Sequence, residues 1–214
     1  MNLLRRHWYD LGGALAIITL LLVYSFRAGL SEYQLLMWLN LVTLFLHQIE
    51  EYRLPGTFPG MINSAMFHSD TPDRYPLNTQ TSFIVNVSIG WTLYLLAALA
   101  GSSMVWLGMA SIMVSLGNII AHTFLFNIKG KTIYNAGIAT CWLLFVPCVF
   151  FFFKITSREG LAGTTDYIIG ISSGILINIF GVLKPIQWLA DRNTTFAFRN
   201  SQLLPKDRKG SSGS

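Results

Sequence analysis

Six apolar runs follow one another along this chain, at residues 8–26, 32–51, 81–100, 104–126, 135–153 and 166–188. Each is near the ~20 residues that an α-helix needs to cross ~30 Å of hydrocarbon. Inside a bilayer the backbone has no water to bond, so each run must close its hydrogen bonds within itself. None shows the period-two alternation of a barrel strand. The expected fold is all-α: a polytopic membrane helix bundle of about six transmembrane spans. Residues 1–205 form a single transmembrane domain, and residues 206–214 form a tail. Its last five residues, Gly210 to Ser214, read as an appended Gly/Ser linker.

Composition supports this. Only 12% of the 214 residues are charged and 52% are hydrophobic, against roughly 25% charged in a soluble domain. So few charges cannot cover a surface that faces water. The net charge of +5 would suit nucleic acid, but the charges lie between and after the apolar runs. The expected partner is therefore the lipid bilayer, with no nucleic acid. Cys141 and Cys148 are seven residues apart on one helical face, too far to bridge. No small-residue cleavage site closes the run after Arg5 and Arg6, so no cleaved signal peptide is expected.

An even number of spans puts both termini on one side. Of the 15 Lys and Arg residues, only Arg27, Lys154 and Arg158 fall on the other side. The positive-inside rule then places both termini in the cytoplasm. Setting aside Arg199, Lys206, Arg208 and Lys209 still leaves eight against three. The longest connection, residues 54–80, becomes a cytoplasmic loop between spans two and three. It is turn-rich at Pro55-Gly56 and Pro59-Gly60, and it is either a lid or a plain connector. Trp8 and Trp188 read as interfacial anchors. Gly170 and Gly174 read as positions of close helix packing.

The chemistry lies in two polar stripes. Span two carries Asn40, Thr43, His47, Glu50 and Glu51, and span four carries Ser111, Ser115, Asn118 and His122. Both sets fall on one face of a helix. Such stripes face protein or water, because facing lipid costs too much. His47 and His122 lie at matched depth, with Asn86, Asn135 and Thr140 in the same layer. His47 with Glu50 or Glu51 is an (i, i+3) or (i, i+4) pair, so both side chains can reach one ion. Zinc favours such ligands, and iron is possible. The expected metal set is His47, His122, Glu50 and Glu51. Glu50 and Glu51 are also the catalytic candidates, one holding the metal and the other moving a proton. Asn86, Asn118 and Asn135 are expected to support the ligands. The first expectation is a metal-dependent, hydrolase-like enzyme near the cytoplasmic face, acting on a lipidic or amphipathic small molecule. The alternative is a proton- or cation-coupled transporter, or a ligand-binding membrane protein without catalysis. A homo-oligomer is compatible with either.

The pentapeptide His47-Gln-Ile-Glu50-Glu51 resembles the signature of the HXXEE-domain family of small multi-span bacterial membrane proteins. Pro55-Gly56, Phe58-Pro59, the segment from Asn118 to His122, and Tyr134-Asn135-Ala-Gly137 with Thr140 are similar to that family's pattern, over about residues 35–141. Ala136 stands where the family pattern has proline. The resemblance implies a metal-binding protein of the bacterial inner membrane, with His47, Glu50, Glu51 and His122 at the family positions.

Overall fold

A computed structural model of the chain describes residues 2–209, so the expected Gly/Ser linker lies outside the described residues. All regular structure among those residues is helical. Helix α1 is Asn2–Phe26 and α2 is Glu32–Tyr52. Ser31 starts α2 with a capping box: its hydroxyl accepts from Gln34 N, and the Gln34 side chain answers to Ser31 N.

Four runs are long and apolar enough to cross a membrane: Leu3–Gly29, Thr79–Gly130, Ile138–Arg158 and Thr164–Trp188. The expectation of six spans is corrected in two places. First, Thr79–Gly130 is a single run of 52 residues that contains two of the expected spans. A straight helix would hold Tyr94 and Ser115 ~30 Å apart. Their hydroxyls are 2.7 Å apart, so the chain doubles back between them. The reversal falls at Gly101, whose φ of +54° costs a glycine little. It divides the run into α3 (79–100) and α4 (105–130). Second, α2 is not apolar enough to qualify, because its own polar stripe dilutes it. It is instead a sheltered helix, with 14 of its 21 residues buried. Ile138–Arg158 is α5 and Thr164–Trp188 is α6.

Helix α2 packs against α1, α3, α4 and α5, and α6 lies along α4. The α4–α6 contact is close because Gly170 and Gly174 leave no room for a side chain. A Cβ added there would meet Met109 Cβ at 2.5 Å and Met113 Cβ at 2.3 Å. The two polar stripes meet inside the bundle: Asn40 Nδ2 donates to Ser111 Oγ at 3.3 Å, and Ser115 Oγ donates to Asn40 Oδ1 at 3.2 Å. Cys141 and Cys148 are both free and buried.

A strap of non-spanning chain covers the end of the bundle where α2 finishes. Asn63 is fully buried in the connection and holds it in shape, bonding Pro72 O, Leu77 O and Leu77 N at 2.8–2.9 Å. The C-terminal segment pairs with it through Thr79 N to Phe196 O and Phe198 N to Asp73 O. Gln202 donates to Tyr52 O at the end of α2. The Arg74 guanidinium beside Asp73 holds that carboxyl below its usual range. Trp8, expected as an interfacial anchor, is instead 1% exposed within an aromatic cluster with Tyr9 and Tyr52. The strap shields it from any interface.

Candidate metal centre

The strap lies next to three buried ionisable side chains. His47, Glu51 and His122 are 2%, 4% and 1% exposed. His47 and Glu51 share a face of α2 four residues apart. His122 comes from a wide i→i+5 turn in α4, Ala121–Leu125, a local widening often found at functional sites. Glu51 Oε1 is 3.5 Å from His47 Nε2 and 3.3 Å from His122 Nε2. These distances exceed an ordinary hydrogen bond. They match the edge of a tetrahedron around an ion with ~2.0–2.1 Å bonds, which is about 3.3 Å. His47 Nε2 is buried and has no hydrogen-bond partner.

Hydrogen bonds around the rings determine where each imidazole proton sits. Asn127 Nδ2 donates to Thr123 O and Ile133 O, so Asn127 Oδ1 is an acceptor. Asn135 Nδ2 donates to that oxygen at 2.7 Å and to His122 O at 2.8 Å. Asn135 Oδ1 must then accept from His122 Nδ1–H, at 2.6 Å. On the other ring, Thr140 Oγ1 gives its single proton to Glu50 Oε2 at 2.6 Å. It can therefore only accept from His47 Nδ1–H, at 2.9 Å. In their neutral forms both rings thus turn an Nε2 lone pair towards the same carboxylate oxygen. Three electron-rich atoms facing one another is an arrangement that a cation resolves.

Glu50 and Glu51 take different places. The Glu50 carboxylate accepts from Thr140 N, Thr140 Oγ1, Ala139 N and Tyr134 OH at 2.6–3.2 Å. It binds the free amides at the start of α5, where a negative charge is favoured. With those contacts made, it is not turned to the two Nε2 atoms. Asn135 bonds both the ring and the carbonyl of His122. Asn86 lies instead across a small cavity that His47 and Glu51 also line, bonding Gln48, Tyr52 and Ser82. Asn118 lines the cavity but gives its amide to Val114 O.

Three participants were not found from the sequence. Cys141 forms, with His47 and His122, a group whose ligand atoms lie within 4.8 Å of one another. Its Sγ is 3.9 Å from His47 Nδ1, on the side already bonded to Thr140. Its only sequence signal was a soft ligand type directly after Thr140. Phe58, from the strap, stacks on the His122 ring at 5.6 Å. Gly137 has a φ of +115°, and a Cβ there would lie 2.2 Å from His122 Cε1. Its missing side chain makes room for the imidazole.

These features define a class: a helical bundle with membrane-spanning character that buries a His/His/Glu cluster. The profile described as "Protein of unknown function with HXXEE motif" matches residues 38–152, more than half of the chain. The chain belongs to this HXXEE family. The match covers His47, Glu50, Glu51, His122, Asn135 and Thr140. No curated protein and no solved structure matches it.

Proposed function

We propose that this chain is a membrane-embedded, metal-dependent enzyme of the hydrolase type, acting on a lipidic or amphipathic small molecule. One observation carries this reading: two Nε2 lone pairs and one carboxylate oxygen converge at 3.3 and 3.5 Å, with one imidazole nitrogen left unpartnered. His47 Nε2, His122 Nε2 and Glu51 Oε1 would hold a divalent ion, zinc in preference to iron given the nitrogen-rich set. The bound ion would supply Lewis acidity and a water of lowered pKa. The adjoining cavity, about 80 Å³, has room for that water or for a reacting group. Glu51 would act as an ionised ligand through Oε1, with no protein donor on its Oε2 among the described residues. Glu50 fixes the His47 tautomer through Thr140 and has no other part in the chemistry.

In this reading the apolar helices cross the bilayer around the sheltered α2, with both termini and the strap on the cytoplasmic side. The bacterial inner membrane is the proposed location. Transport would need a polar route beyond the centre. Below it, Tyr33, Met37, Met109, Ile112 and Phe152 form a dense apolar block at 0–1% exposure, which favours catalysis.

Elemental analysis of the purified chain tests the metal. About one equivalent of zinc is expected, and His47→Ala should lose it. Zinc no higher in the native chain than in that variant overturns the proposal. Cys141→Ser should keep its metal. Thr140→Val should retain the fold yet bind zinc ~10–100-fold more weakly, since it leaves His47 Nδ1–H only the weak Cys141 sulfur at 3.9 Å. Thr140→Ser should restore the affinity, as measured by competition with a chelator.

A further inference from the structure

The cavity beside the centre is too small for a whole amphiphile. At about 80 Å³ it takes a few waters or a compact head group. A second hollow of about 530 Å³ lies between α4 and α6. Phe58, Asn118, Val182 and Ile186 line both, so these four side chains stand between the two. Because Phe58 also stacks on His122, the larger hollow ends one ring away from the centre.

The larger hollow is a groove with no charged residue in its lining. Its walls include Ile120, Ile179 and Leu183, which are 52%, 37% and 57% exposed. It therefore opens sideways, on the flanks of two runs apolar enough to cross a membrane. The end face is closed by the strap, which is tied down through Asn63, Phe198 and Gln202. At the junction, Asn118 Nδ2 donates to Val114 O at 3.1 Å, while no donor among the described residues bonds its Oδ1.

We propose that the groove seats the alkyl chain of a membrane amphiphile, which enters laterally between α4 and α6 and presents its head to the centre past Phe58. This rests on the reading of the cavity as a substrate site, and it assigns each part of the substrate to a place. The volumes decide the orientation: only the groove can hold a long chain, and only the cavity adjoins the ligand atoms. Asn118 Oδ1 marks where a hydroxyl or amide of the head would donate.

The full chain in phosphatidylcholine nanodiscs, photolysed with a long-chain alcohol bearing a diazirine, tests this. Peptide mapping should find the label concentrated on residues 113–125 and 175–187. Ile179→Trp and Leu183→Trp each fill the groove from an exposed position. Each should remove most of that labelling, with zinc content unchanged. Labelling spread evenly over α1 and the groove, labelling insensitive to both tryptophans, or cross-links between two copies would each overturn the proposal. Specific, blockable labelling in a chain that holds no zinc would support the groove while removing the metal.

Discussion

Glu51→Gln is expected to abolish tight zinc binding while leaving the helical bundle intact. The substitution keeps the shape of the side chain and removes the anion facing His47 Nε2 and His122 Nε2 at 3.5 and 3.3 Å. Changes to residues that merely support ligands cost ~10–100-fold in affinity, so losing a charged ligand should exceed ~100-fold. Chelator competition on purified protein measures this, with circular dichroism as the check on folding. Glu50→Gln should fall in the lower range, because Glu50 acts only through Thr140 and the start of α5. If Glu51→Gln keeps its metal and Cys141→Ser loses it, the ligands are instead His47, His122 and Cys141, the alternative group of the same pocket.

Gly137→Ala is expected to be the most damaging single methyl addition at the site. The new Cβ would lie 2.2 Å from His122 Cε1, inside any permitted contact. The backbone there, at φ +115°, also disfavours any L side chain. The ring could yield only by breaking its 2.6 Å bond to Asn135. A loss of ~3 kcal/mol is expected from strain and overpacking together, which lowers the melting temperature by about 6–12 °C for a chain of this size. Thermal unfolding in detergent checks it, and zinc affinity should fall in parallel. Gly29→Ala, where nothing lies within 4 Å of the added atom, should leave both nearly unchanged.

Much of this organisation was legible from residue spacing. Apolar runs near bilayer length implied helices, and a 3.6-residue period placed Asn40 and His47 on one stripe and Ser111, Ser115 and His122 on another. Their meeting through Asn40, Ser111 and Ser115 follows from the same physics, since polar groups in apolar helices must find each other. The number of separate apolar runs was less legible. The reversal at Gly101 is a matter of one residue's φ, and local hydropathy runs straight through it. The polarity that makes α2 useful also removes it from the set of evidently apolar helices. Trp8 was misplaced because the cluster that buries it draws on residues far along the chain, from Met61 and Leu77 to Phe198 and Leu203.

The division of labour within the Glu-Glu pair shows where spacing stops being informative. On a helix the third and fourth residues after His47 flank it at about −60° and +40°, so either carboxylate could face the ligand. From the sequence came the residue types, the stripe, the matched depth of His47 and His122, and hence a polar site within an apolar bundle. Only the packing of α5 against α2 decided which glutamate does what. The free amides of Ala139 and Thr140 hold Glu50, leaving Glu51 with the two histidines. A backbone amide carries no side-chain signature, so its claim on Glu50 could not be seen until the start of α5 had a position in space.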